Sequence, residues 1–499
     1  MDTVVGGPFA ALDEWRLIRR FAVPEWMIAE CAAARERGDW RAACEAARVT
    51  VGDSVDGAEP AAELLAGFAP DLLRWHLPRS LSGTATLAAG RRYVLAPDGP
   101  VNPDTVVVEV VSPAHTSGSQ RLTLHAVRAG DLAPGLVVPL PPHLWDARRA
   151  GELRAVARGF PSRPAPAAGA VEAWSSAGWV VDEAAADQWW SRTDLLSLAD
   201  PLLAARELRR VAAQFGRRSW RLHAGASWHR SRRPAPHLRL EAAGDQLHVT
   251  RHAEVPAQPG SIQAELCLHP ALLRPPVDLE LVRHGRIDVT DLHPLVRDAL
   301  FPAAQRAEAR PAAVLPAGFA AAERVRVRCG AQWHWIGLRG GRFELLHHHT
   351  EDERRRELTL RAFGGTIGGC FKAERAWHDG EGTLPKQLHA YRRDLWRWME
   401  HGGSRVVLAL LDAGLDPQVR DGRGRTLLHR IHQFEHADLL PRLLAEGLDV
   451  NARSRSGWTP MCEVLVHSPP AALVRALHDA GAFPRLALTD PQDWPAADG

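Results

Sequence analysis

The spacing of apolar positions changes twice along the chain, and each change marks a different kind of element. From residue 12 to 77 the spacing is helical. Trp26, Met27, Cys31 and Ala34 share one face, Gly38-Asp39 makes a turn, and Trp40, Ala43, Cys44 and Ala47 form the face of a second helix. Asp39 stands where a helix wants an N-cap acceptor. Leu64, Leu65, Phe68, Leu72 and Leu73 predict a further helix, which Pro78 ends.

From about residue 85 to 385 short β-like runs stand between Gly and Pro turns. Runs at 92–95 and 105–111 flank a Pro/Gly loop, and runs at 238–240 and 246–250 flank Gly244-Asp245, a hairpin signal. His284-Gly285 separates runs at 278–282 and 286–289 in the same way, and Gly turns join 325–329, 332–338 and 342–347. Helical stretches are expected at roughly 183–215, 291–300 and 351–363. Hairpins with intervening helices predict an α+β region of antiparallel strands, not a βαβ parallel sheet.

Beyond residue 386 the helical period returns and the chain repeats itself. Ala413-Gly414-Leu415-Asp416 comes back 33 residues later as Glu446-Gly447-Leu448-Asp449, and Gly424-Arg425-Thr426-Leu427 as Gly457-Trp458-Thr459-Pro460. Ala480-Gly481-Ala482 follows one residue late. That period, with a Gly-x-Thr-Pro-Leu-His-like start, is the signature of ankyrin repeats, helix pairs that bury their apolar faces only by stacking. Helices are expected at 387–400 and 405–412, at 426–434 and 439–446, and at 459–466 and 471–479. Gly414, Gly447 and Gly481 fall where each second helix ends and a left-handed residue is wanted. Thr426 and Thr459 are candidate helix caps, and His429 stands where such repeats bond backbone across units. Pro441 requires its helix to begin close by, with Asp438 as N-cap. Cys462 and Pro469-Pro470 depart from the pattern, so the outer units read as degenerate caps.

The resemblance runs further. Cys329-Gly330-Ala331-Gln332-Trp333-His334, Gly369-Cys370-Phe371, Leu384-Pro385 and the run Arg420 to His429 look like large ankyrin-repeat proteins of high-GC actinobacteria. Pro24-Glu25-Trp26-Met27-Ile28 and Pro70-Asp71-Leu72-Leu73-Arg74-Trp75-His76-Leu77-Pro78 are similar to the same family. The resemblance implies membership of a repeat family and brings no activity with it.

Composition narrows the classes. A formal net charge of +2 gives no global field for nucleic acid or membrane. Six scattered cysteines without Cys-x-x-Cys argue against a disulfide framework, and no run is apolar enough for a membrane span, so a cytoplasmic protein is expected. Gly-x-Ser-x-Gly, His-Glu-x-x-His and the kinase set are missing, and the Gly-rich stretch 364–369 fits neither phosphate-binding fingerprint. His347-His348-His349, beside Glu351 and Asp352, is the most metal-like run. Alternation along a strand keeps three consecutive His from one ion, so it reads as structural. His429, His432 and His436 likewise read as structural. Residues 209–240 hold nine Arg and no Asp or Glu, interleaved with Trp220 and Trp228, which suits phosphate contact and base stacking; an Arg-biased solvated face is the plainer explanation. Trp189-Trp190, Trp333, Trp335, Trp396 and Trp398 are read as core filling.

The reading is an α+β multidomain protein. Residues 1–80 are a helical region and 81–385 an α+β region, with a Pro- and Ala-rich linker at 161–170 that would divide it. Residues 386–485 are about three ankyrin repeats forming an α-solenoid, and 486–499 a tail. The expected function is non-catalytic binding of a protein partner through the repeats. The alternatives are a nucleic-acid-associated protein using 209–240, and an enzyme of unrecognised fold in 81–385. Ankyrin stacks present their turn tips to partners. The resemblance therefore implies contacts from Arg420, Asp421, Arg423, Arg430, Gln433, Arg453 and Arg455, whose charge favours an acidic surface. No catalytic residue, cofactor or metal is assigned.

Overall fold

The computed structural model describes residues 8–57, 59–80, 85–133, 136–158, 169–182, 196–223, 238–251, 265–304, 313–315, 319, 323–329, 332–365, 368–378, 383–467 and 469–484. Two compact units result. The first comprises residues 1–116 and 120–312, the second 117–119 and 313–499. Trp189-Trp190, Trp228 and the tail at 486–499 lie outside the described residues, as does most of the expected linker. Among the described residues no helix is long and apolar enough to cross a membrane.

The first unit is built on a ten-stranded mixed sheet. Its strands are β1 (Val49–Val51), β2 (Arg92–Ala96), β3 (Val106–Val111), β4 (Leu122–Arg128), β5 (Leu136–Pro139), β6 (Trp179–Val181), β7 (Ser219–Leu222), β8 (Leu238–Ala243), β9 (Gln246–Arg251) and β10 (Glu265–Leu268). The order is β1-β4-β3-β2-β5-β10-β7-β8-β9-β6. This sheet is the same five-stranded arrangement made twice. In each half the first strand pairs parallel with the fourth, the fourth antiparallel with the third, the third antiparallel with the second, and the second parallel with the fifth. The halves join through the parallel pair β5–β10. Helices precede corresponding strands in both copies: Trp40–Ala46 and Ala170–Ser176 before β1 and β6, Pro70–His76 and Pro201–Phe215 before β2 and β7.

The α+β expectation is therefore corrected to mixed α/β. Hairpin signals find only neighbours in sequence, as at β8–β9, where Gly244 has φ 62°. The parallel pairs join strands far apart in the chain, which local patterning cannot report. The hairpin expected around His284-Gly285 is instead a helix, Val277–Arg283, ending at that turn.

Asp39 does cap the Trp40–Ala46 helix, accepting from Ala42 N at 2.9 Å. The motif Pro70 to Trp75 is buried throughout and serves the packing. Asp71 accepts from Arg35 Nη1 at 2.5 Å and faces His293 Nε2 at 3.1 Å. Asp278 accepts from Arg19 at 2.7 and 2.9 Å and from Trp75 Nε1 at 3.2 Å. Arg74 gives its protons to the carbonyls of Ala47, Arg48 and Gln120.

The second unit begins with a three-stranded antiparallel sheet, β11 (Glu323–Cys329), β12 (Gln332–Arg339) and β13 (Arg342–Leu345). The helices Glu351–Ala362, Gly369–His378, Lys386–Asp412, His436–Ala445, Pro460–Leu465 and Ala471–Asp479 follow. Among the described residues an ankyrin-type α-solenoid is not evident, which corrects the expected C-terminal fold. The first helix of the middle unit is only a 3-10 stretch, Leu428–Gln433, and the first helix pair is one 27-residue element kinked where Gly403 has φ 71°. Pro441 lies inside its helix, which starts at His436 with Glu435 as N-cap.

Removing the carboxylate of Asp71 would take the acceptor from buried His293 and from partly buried Arg35. Asp71→Ala is expected to cost about 3–5 kcal/mol in the unfolding of the first unit, read by urea denaturation. A loss under about 1 kcal/mol would contradict a structural role for the cluster.

Candidate partner-binding turns and a cysteine–histidine cluster

The 33-residue period survives in the second unit as repeated backbone geometry. Asp421 N donates to Arg425 O and Ser454 N to Trp458 O, each at 3.0 Å. Gly424 N bonds Asp421 O as Gly457 N bonds Ser454 O, again at 3.0 Å. Gly414, Gly447 and Gly481 all have positive φ, and the following residue in each case bonds back five positions.

Neighbouring units are tied by bonds that also recur. His429 accepts from Thr426 N at Nδ1 and donates from Nε2 to Trp458 O at 3.0 Å, the cross-unit role expected of it. Thr459 Oγ1 donates to Phe483 O at 2.9 Å and makes no side-chain cap bond. Gln418 Nε2 reaches Gly447 O, and Asn451 Nδ2 reaches Gly481 O. The turn tips themselves touch: Arg455 N donates to Arg423 O at 3.0 Å, and Arg420 Nη1 to Arg453 O at 2.9 Å.

The seven residues expected at a partner surface divide into two sets. Asp421 is buried, and its carboxylate accepts from the backbone N–H of Arg423 and Arg425, at 2.8 and 3.0 Å, and from Arg425 Nε at 2.8 Å. Burial works to raise its pKa, but Arg425, Arg430 and the backbone donors hold it below the ordinary carboxylate value. Gln433 is buried, donating to Ser117 O at 2.8 Å and accepting from Arg430 Nε. Arg430 is partly buried between Asp421 and Glu400, with its guanidinium 5.4 Å from the Trp396 ring centroid. Arg420 is half-buried along the turns. Arg423, Arg453 and Arg455 are exposed, on the adjoining tips.

The chain is 38% identical over 74 residues to an ankyrin repeat-containing protein of Schizosaccharomyces pombe. The match takes in 14% of this chain and 36% of that protein, so the chain spans about a third of the relative's length. No family model matches. The similarity is to ankyrin repeats.

A second cluster was not assembled by sequence reasoning. Cys329, His334, His349 and Cys370 each offer one ligand atom, and these atoms lie within 4.8 Å of one another. Cys329 ends β11. Val327 pairs with His334 across β11–β12, so alternation places Cys329 and His334 on one face of the sheet. His349 follows β13 and Cys370 opens the Gly369–His378 helix. His334 Nδ1 is 3.7 Å from Cys370 Sγ, while its Nε2 faces Gln332 Oε1 at 3.3 Å. His349 Nδ1 faces Glu353 Oε2 at 3.3 Å, and its Nε2 is 2.6 Å from His347 Nε2. Burial pushes the Cys370 thiol up to about 12, and the adjacent Cys329 thiol adds to the rise. The expected strand ends at Leu345, so strand alternation does not apply to His347, His348 and His349; there His348 is exposed and His349 buried. The other members of the cluster come from distant positions, all between residues 329 and 370.

The same alternation corrects the aromatic reading. Trp333 and Trp335 fall on the opposite face and are exposed, flanking the Arg326 guanidinium at 5.3 and 5.6 Å. In the Arg-rich segment, Trp220 is buried against Phe215, so it offers no face for base stacking.

Asp421 supplies a pH test. A carboxyl held below its unfolded value near ~3.9 stabilises fully above that pH and ceases to as pH falls through the folded value. Asp421→Ala is expected to cost about 2 kcal/mol at pH 7, and the variant to converge with the wild type in acid. Thermal melts from pH 7 down to about 2 check this; a deficit unchanged by pH would contradict it.

Proposed function

We propose that the second unit holds a protein partner with an acidic surface, through the adjoining turn tips that carry Arg423, Arg453 and Arg455. The observation that carries the reading is the pair of cross-turn bonds, Arg455 N to Arg423 O and Arg420 Nη1 to Arg453 O, which keep these exposed arginines side by side. Adjacent like charges on a solvated rim gain most from an opposing surface of the other sign, and they speed its encounter. The similarity to an ankyrin repeat-containing protein supports the same class of role. In this reading Asp421, Arg430 and Gln433 position the turns from within, and Arg420 spans two of them.

The test is a quantitative pull-down from native cells with the full chain and with Arg423→Glu, Arg453→Glu and Arg455→Glu combined. The charge-reversed protein is expected to lose at least tenfold of the partner retained by the wild type, with the melting temperature unchanged. Equal retention by both proteins would contradict the proposal. Raising the salt should release the partner from the wild type, since exposed charges are screened.

A further inference from the structure

We propose that Cys329, His334, His349 and Cys370 form a structural zinc site that clips the β11–β12 hairpin to the helix Gly369–His378. Two thiols and two imidazoles are the donor set that selects zinc among the common ions. A tetrahedral ion bound at roughly 2.3 Å to sulfur and 2.0–2.1 Å to nitrogen holds its ligand atoms roughly 3.3–3.8 Å apart. The spacing of His334 Nδ1 and Cys370 Sγ, 3.7 Å, already lies in that range. All four ligand atoms sit within 4.8 Å of one another, so small side-chain adjustments complete the set.

The surroundings of both imidazoles point the same way. A zinc-bound His gives its other N–H to an oxygen acceptor, which fixes the tautomer and the ring. Gln332 Oε1 is that acceptor for His334 Nε2, leaving Nδ1 to face the thiols. Glu353 Oε2 is that acceptor for His349 Nδ1, leaving Nε2 as the ligand atom. His347 Nε2 meets the same atom at 2.6 Å, while its Nδ1 donates to Trp335 O at 3.1 Å.

The backbone is shaped to bring Cys370 in. At Gly369, φ is 42°, and a Cβ there would meet Arg328 O at 2.5 Å and Cys329 Cβ at 2.7 Å. Only glycine lets the helix start this close to the end of β11. Four protein ligands leave no open position, which makes the site structural and not catalytic. Such a clip would add to the packing of buried Val325, Val327, Ile336 and Leu338 in the sheet. It stands independently of the partner-binding turns.

The full-length protein, purified from cells supplied with zinc, is expected to carry one zinc per chain by plasma mass spectrometry. Cys329→Ser, Cys370→Ser and His349→Ala should each lose it, and His348→Ala should keep it. A second measurement uses wild-type protein alone, so that misfolded variants do not decide the matter. Stripped with chelator and titrated with Co2+, it should develop thiolate-to-cobalt charge transfer and the intense visible bands of a tetrahedral ion. Zinc at background level with no such spectrum would overturn the proposal, as would a Cys329–Cys370 disulfide found by non-reducing peptide mapping.

Discussion

The buried carboxylate of Asp421 is the interaction on which the second unit's exposed surface depends. A charge taken out of water must be matched by donors that water would otherwise supply. Here two backbone N–H groups of its own turn do part of this, and the guanidiniums of Arg425 and Arg430 do the rest. Arg425 in turn reaches Glu463 of the following unit at 2.5 Å. Asp421 thus sets the turn and leaves Arg423 facing solvent, while Arg425 ties this repeat to the next. The turn 33 residues on has Ser454 in the same place, where its hydroxyl meets Ser456 at 3.0 Å. The geometry of the two turns agrees although their chemistry differs.

The first unit meets the same constraint deeper inside. Asp71 and Asp278 lie in helices, and each is matched by partners far off in the chain, His293 for one and Arg19 for the other. Neither pair is visible in local pattern, and both fall among residues that read only as amphipathic helix or hairpin. The doubling of the five-stranded arrangement is equally hidden. Its second copy runs about 130 residues behind the first, from Val49 to Trp179. Strands of three to seven residues carry too few side chains for the likeness to show in sequence.

What was legible followed from local chemistry. Asp39 as a helix cap, Gly244-Asp245 as a hairpin turn, and the glycines that close the C-terminal helices each answer to one residue's conformational needs. The period of 33 was legible for the same reason, since turns need glycine at fixed places. Helix content was not: Leu428–Gln433 winds as a 3-10 stretch, and Pro441 is accommodated inside a helix, outcomes set by packing against neighbours. Of the turn residues, position was legible but burial was not, because Asp421 and Arg423 are both charged turn residues and only the folded turn directs one inward and the other outward. The cysteine–histidine cluster shows the converse. Its residues were noticed as motif, yet their meeting depends on the β11–β12 register and on the close approach at Gly369.

If the adjoining turn tips that carry Arg423, Arg453 and Arg455 face the partner, a probe placed there meets it and a probe placed elsewhere on the second unit does not. Site-specific photo-cross-linking in native cells tests it most directly. A photoreactive side chain at position 423 or 455 is compared with one at Phe363, which is 86% exposed on the same unit. One shared adduct from 423 and 455, weakened by added salt, is expected, and none from 363. An equal adduct from position 363, or none from either turn, would contradict it.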